Sequence, residues 1–389
     1  MNAPDLPLTD QRAAPGTGPE ALAGRVTLRP GPGPRAVVST RPDWVPRLAR
    51  GQSAAAWPGL LATVFSLCGH AHRWAAQQAI AAAQGRAPVP TDEARQRHRL
   101  ATAREQVLRI TQDWPALLPG EPAAPAAAVL LRACPLWRDD WAPADRLAAW
   151  PDWLAQKWLG QPPADWLKAH EDRPDGAAAL AWAQRQEHAL ARLLRRQWPA
   201  LVTLTTPACA LAPLREPAVA LPWLAQRLHE GHAAPAGAPA FAQQPHWRGE
   251  VPDTGPWSRH GDPLWAPAHH AGTRLLARLV EVLRLAAPQG AHWLDLGAMP
   301  LGPGRGIAWI EMARGLLVHH VALDPTDPGR LLAAQVLAPT EWNFHPQGVL
   351  AQALQRLPAA DADGARRLAV AFDPCVAFDI DVNRSPDHA

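Results

Sequence analysis

The chain has 389 residues, enough for one large domain or two to three of about 150 residues each, and ample for a buried core. Hydrophobic residues at 48% exclude global disorder, and 44 prolines with 27 glycines stay together below the roughly 25% that marks low complexity. A formal net charge of +3, without a long block of Lys and Arg, gives no footprint for nucleic acid or a membrane surface.

In chain order, residues 1–40 are rich in Pro, Gly and Ala and are expected to be a largely flexible segment with a short strand around Arg25-Val26-Thr27-Leu28. The opening Met1-Asn2-Ala3-Pro4-Asp5 lacks the features of a secretory signal, and no apolar run nears the roughly 18 residues of a membrane span. A soluble, cytoplasmic protein is the expectation, with residues 41–389 as its body. Leu60 to Ala83 reads as one buried helix, with Pro58 ahead of it and Gly85 at its end. Asp92 to Trp114 reads as a second helix, capped by Thr91 and stopped by Pro115. Short Trp-rich amphipathic pieces fill 115–175, and Ala177–Trp198 and Gly272–Ala287 read as further helices. Between those two helices, 233–268 reads as loop.

The last third changes character. Ile307–Met312 and Leu316–Leu323 read as strands joined at Arg314-Gly315, Leu331–Leu337 as a third strand, and Gly348–Leu357 as a short helix. The fold class expected is α+β and predominantly α, with a small C-terminal β region.

Four cysteines, Cys68, Cys134, Cys209 and Cys375, are scattered with no C-x-x-C pair, so they do not form a disulfide framework. In Cys68-Gly69-His70-Ala71-His72 a thiol and an imidazole stand four residues apart, a spacing that can hold a metal, although a lone Cys on an apolar helix is more often a core residue. Cys375 follows Asp373-Pro374, whose ring stiffens the turn that carries the thiol. Arg314 at a hairpin tip can receive an anionic group, or simply be solvated. Gly302 to Gly306 reads as a turn, with no Lys-Ser/Thr pair to make it a phosphate cradle. Asp295, Asp324 and Asp327 read as turn formers, and His269-His270 and His319-His320 as surface or supporting histidines.

Taken in order, these segments resemble the large subunit of nickel-iron hydrogenases. Ser66-Leu67-Cys68-Gly69-His70-Ala71 stands where that family has R-x-C-G-x-C, and Asp373-Pro374-Cys375-Val376-Ala377-Phe378-Asp379-Ile380-Asp381 where it has D-P-C-x-x-C-x-x-H. Glu311-Met312-Ala313-Arg314-Gly315-Leu316-Leu317-Val318-His319 and Pro339-Thr340-Glu341-Trp342-Asn343-Phe344-His345-Pro346 match two intervening motifs, while the middle of the chain is shortened and matches poorly. The resemblance implies a trimmed version of that large-subunit fold. It also implies that Cys68 and Cys375 match terminal metal ligands, whereas Ala71 and Phe378 occupy the bridging positions and cannot ligate. The family's N-terminal glutamate falls near Ala23, and its final histidine at Asp381.

A site with two of four thiolates is similar to that of the HupK/HoxV group of hydrogenase accessory proteins. This resemblance implies a non-catalytic maturation scaffold that transiently holds the Fe(CN)2(CO) unit on Cys68 and Cys375, without stoichiometric nickel. Arg314 would bond a cyanide nitrogen, and Trp342 and Asn343 would wall the pocket. His72, like His70, is a candidate supporting residue. The implied partners are the hydrogenase large-subunit precursor and maturation chaperones, with no nucleic acid. Two other readings remain open on sequence grounds: a degenerate hydrogenase or hydrogen sensor holding both metals, and a cofactor-free chaperone.

Overall fold

A computed structural model of the chain describes residues 24–86, 89–121, 127–172, 175–207, 217–230, 240–260 and 269–382. The fold is α+β and mostly helical. Two small sheets are set among the helices.

Alternation and turn residues build the larger sheet, an antiparallel meander of β3 (Leu296–Pro300), β4 (Arg305–Met312), β5 (Gly315–Leu323) and β6 (Leu331–Leu337). β3 escapes the sequence reading because Leu296-Gly297-Ala298-Met299-Pro300 is short and carries Gly and Pro. Gly302 (φ 114°) and Gly304 (φ 67°) make the β3–β4 turn, where only glycine adopts these angles freely.

Every residue of β5 is buried, since helices cover both faces of the sheet. The alanine-rich side of Gly69–Ala83 packs with Ala308, Ile310, Leu317 and Val321 on one face. Leu221, Leu224 and Leu228 of helix Pro217–Glu230 pack with Ile307, Leu316 and Val318 on the other. His319 and His320, expected near the surface, are therefore each 1% exposed. His270 is also interior: it caps helix Ala271–Ala286, its Nδ1 accepting from the Thr273 amide at 3.3 Å.

The second sheet ties the chain's two ends together in the order β2-β1-β7. β1 (Val26–Leu28) pairs antiparallel with β2 (Val37–Ser39) and parallel with β7 (Phe378–Ile380). Ion pairs Arg25–Asp379 (2.8 Å) and Arg29–Asp381 (3.0 Å) flank it. Residues 24–40 are thus largely woven into the body. Residues 1–23, with Ala23, lie outside the described residues, as do 383–389.

Most of the remaining core is helical. All sixteen residues of Ala271–Ala286 are buried, including Arg274, Arg278, Glu281 and Arg284, which are matched by partners on other elements. Glu281, for example, accepts from Arg259 at 2.8 Å and contacts His260 at 3.0 Å.

Three expected helices differ in outline. The Leu60–Ala83 stretch is two helices, Trp57–Val64 and Gly69–Ala83, separated by Phe65 (φ −106°, ψ 57°) and a 3-10 turn at Ser66–Cys68. Apolar spacing runs through this break and so hides it. Asp92–Leu108 does begin at Thr91, whose hydroxyl accepts from the Ala94 amide at 3.2 Å. It does not stop at Pro115: a π turn at Arg109–Asp113 lets Trp114–Leu117 restart with the proline in its first turn, where no N–H is needed. The Ala177–Trp198 stretch splits into Ala177–Arg185 and Ala189–Leu201. Within 233–268, Pro256–His260 forms a short helix, while 231–239 and 261–268 lie outside the described residues.

Candidate functional site

Three backbone devices build the site. Cys68 ends the 3-10 turn and forms the N-cap of Gly69–Ala83, rather than lying inside a helix. Gly69 is required there because a Cβ would sit 2.6 Å from the Ala62 carbonyl oxygen. Cys375 lies between helix Ala362–Phe372 and β7, so pairing of β7 with β1 fixes its position. Arg41 stands two residues after β2, and the same small sheet carries it to Cys375.

The two sulfurs share one cavity of about 470 Å³, lined also by Arg41, Trp44, Phe65 and Leu67. Cys68 opens on its other side into a second cavity of about 770 Å³ with Glu105 and Arg314. Both thiols are half-buried and neither is in a disulfide. Among the described residues, no group of three or more His, Cys, Asp or Glu side chains could hold a metal. The cysteines form a pair.

Charge around the pair is arranged with care for burial. Arg41 donates from Nη1 to the Cys375 sulfur at 3.4 Å and pairs with Glu341 at 3.3 Å, while the Thr340 hydroxyl lies 2.9 Å from that sulfur. Arg314 is 2% exposed, held by Glu105 and lying 3.5 Å from Asp373. Asp373 has φ 52°, an unusual left-handed setting for a non-glycine residue. Its carboxylate also meets Arg278 at 3.2 Å and Arg109 at 3.4 Å, contacts that hold this conformation in place.

Burial pushes the Cys68 thiol above its ordinary pKa and Cys375 adds to the rise, against the opposing pull of Arg314 and Arg41. Burial works against the charge on Arg41 and Arg314, but the carboxylates and the thiols outweigh it and keep both cationic. Burial likewise raises Glu105 and Glu341, with Arg314 and Arg41 respectively opposing it. Any metal that took Cys68 as a thiolate ligand would displace the thiol proton, so such binding would strengthen as pH rises.

Cys68 and Cys375 therefore line one cavity, and Arg314 lines the neighbouring one together with Cys68. His72, Trp342 and Asn343 line none of the three cavities that the cysteines line. His72 is 2% exposed, stacked on Phe65 with ring centroids 4.1 Å apart and 3.1 Å from His319. Trp342 is fully buried in the apolar cluster on the far face of the sheet. Asn343 binds the Thr254 backbone at both amide (2.8 Å) and carbonyl (2.9 Å) and donates to the Arg314 carbonyl at 3.3 Å. It shapes the hairpin that presents Arg314. His70 lines the larger cavity and stacks against His98 at 5.9 Å. Cys134 is buried at 0% exposure, and Cys209 lies outside the described residues.

Sequence reasoning missed Arg41, Thr340 and Glu105. Thr340 stands inside a motif already noticed, but nothing in the letters around Arg41 or Glu105 links them to residues more than 200 positions away.

Fold and site together define a mostly helical α+β protein organised around two thiols and two guanidinium groups, that of Arg314 buried and that of Arg41 nearly so. No protein-family model matches the chain. It is 36% identical to the hydrogenase expression/formation protein HoxV of Cupriavidus necator, covering 94% of this chain and 97% of that protein. It is 33% identical to the hydrogenase expression/formation protein HupK of Bradyrhizobium diazoefficiens, over 88% of this chain and 91% of that one. Its backbone aligns with the Ni-Fe-Se hydrogenase of D. vulgaris Hildenborough at a TM-score of 0.49 and 16% identity, covering 85% of this chain and 90% of the other. The chain belongs to the HoxV/HupK family of hydrogenase expression/formation proteins.

Proposed function

We propose that the protein is a non-catalytic scaffold of nickel-iron hydrogenase maturation, on which Cys68 and Cys375 hold the Fe(CN)2(CO) unit before it passes to the large-subunit precursor. The observation that carries this reading is the shared cavity of the two thiols. Soft thiolates suit low-spin ferrous iron with strong-field ligands. Fe(CN)2(CO) is neutral and two coordinated thiolates bring two negative charges; Arg41 donates to the Cys375 sulfur and Arg314 lines the cavity beside Cys68, although each arginine is also paired with a carboxylate. Arg314, with its fork of donors, is suited to bond a cyanide nitrogen from the Cys68 side.

Two thiolates rather than four make the cargo removable. Ala71 is packed against the sheet and Phe378 lies in β7, so neither bridging position offers a ligand for a second metal. The relatives' names support a maturation role, and the partners expected are the hydrogenase precursor and its chaperones in the cytoplasm. Among the described residues no helix is long and apolar enough to cross a membrane.

Infrared spectroscopy of protein purified with its maturation partners tests the reading. Cyanide and carbonyl bands should be present, vanish in Cys68→Ser and in Cys375→Ser, and accompany iron without stoichiometric nickel. Bands that persist in both variants would overturn the ligand assignment.

A further inference from the structure

The two thiols differ in their surroundings. The Cys375 sulfur has two donors within reach, Arg41 Nη1 at 3.4 Å and the Thr340 hydroxyl at 2.9 Å. Among the described residues no side chain hydrogen-bonds the Cys68 sulfur. Arg41 is itself anchored by Glu341 at 3.3 Å, and Thr340 and Glu341 are consecutive in one short helix, Pro339–Asn343. The Thr340–Glu341 pair thus addresses the same sulfur twice, once directly and once through Arg41.

We propose that Arg41 and Thr340 make Cys375 the releasable ligand of the iron unit, with Cys68 the ligand that is let go last. The inference rests on the function proposed above and deepens it. A coordinated thiolate is an acceptor only, so the Thr340 hydroxyl must then donate to it, as the Arg41 guanidinium does. Donors to a metal-bound sulfur withdraw electron density from the metal–sulfur bond and weaken it. They also stabilise the thiolate that departs, and a better-stabilised thiolate is a better leaving group.

The transfer step balances as a ligand exchange. A cysteine thiolate of the acceptor forms a bond to iron while the iron–Cys375 bond breaks with both electrons remaining on the Cys375 sulfur. Iron stays ferrous and no external oxidant or reductant is needed. The departing charge meets Arg41 in place. Cys68, without such donors, would leave at greater cost, which holds the cargo until the acceptor has engaged it.

Arg41 and Thr340 are positioning residues, acting through Cys375, and the test needs a spectroscopic readout. Loaded wild-type protein, Thr340→Val and Arg41→Met are compared by the carbonyl stretch and by the rate at which excess 2-mercaptoethanol converts the band set. Loss of a donor should move the carbonyl stretch to lower wavenumber, because a stronger sulfur donor increases back-donation into the carbonyl. The exchange should slow about tenfold per donor removed, the factor expected for one hydrogen bond to a charged group. Thr340→Ser, which keeps the hydroxyl, should restore both readings. Unchanged bands and exchange rates in both variants would refute the inference and leave the scaffold reading standing, whereas a wild type with no cyanide or carbonyl bands would overturn both.

Discussion

Replacing Arg314 with Met removes the cation between Glu105 and Asp373, and the two carboxylates respond unequally. Asp373 retains Arg278 at 3.2 Å and Arg109 at 3.4 Å. Glu105 loses the partner that opposes the effect of its burial. Removing one member of a buried pair costs about 3–5 kcal/mol. The lower end, about 3 kcal/mol, applies here because the Glu105 side chain keeps 19% exposure. Glu105→Gln alone should cost less, since Arg314 still faces Asp373 at 3.5 Å.

The double variant Arg314→Met/Glu105→Gln carries no stranded charge and should recover about 2 kcal/mol relative to the sum of the singles, within the coupling range of residues in contact. The pH dependence has a defined sign. A carboxyl whose folded pKa is raised stabilises below its unfolded value and loses that contribution as pH rises through the folded value. Removal of Arg314 raises Glu105 further, so the penalty should grow from acid toward neutral pH and be smallest where the carboxyl is protonated. Urea unfolding of the four proteins at several pH values measures all of this. Additivity within about 0.5 kcal/mol, or a penalty independent of pH, would show that Glu105 does not depend on Arg314.

Burial raises Glu311 from 4.5 to about 7 against the opposing pull of Arg259, which donates to it at 2.6 Å. Its stabilisation should be full below the unfolded pKa and fade as pH rises toward 7, so Glu311→Gln should flatten the urea-midpoint profile across that window; parallel profiles would contradict the assignment. At Gly306 a Cβ would collide with the Ala79 carbonyl oxygen and the Ala83 amide nitrogen of the helix crossing β4. Gly306→Ala should therefore separate strand from helix and cost about 1–3 kcal/mol by the same unfolding assay, while wild-type stability would mean that this contact is slack.

Some of this protein is written locally. The Thr91 cap, the β4–β5 hairpin about Arg314 and the helix after His270 follow from short-range patterns of polarity and turn chemistry, because the residues that decide them are neighbours in sequence. The motifs around Cys68, Arg314 and Cys375 were equally legible, since each spans fewer than ten positions. The broken helix at Phe65–Cys68 was not legible: apolar spacing continues through it, and the close approach of Gly69 to Ala62 that accompanies the break is visible only in three dimensions.

The tertiary structure alone decided which of the motif residues meet. Trp342 and Asn343 adjoin Thr340 in sequence, yet a helical turn directs Trp342 into the core and Asn343 toward the Arg314 backbone, leaving Thr340 at the sulfur. Arg41 reaches Cys375 across 334 positions because β1 pairs with β7 and β2 lies beside β1. Sequence specifies side-chain chemistry and local periodicity; strand pairing between distant segments depends on the summed packing of the whole body, and that packing assembled the charge around the two thiols.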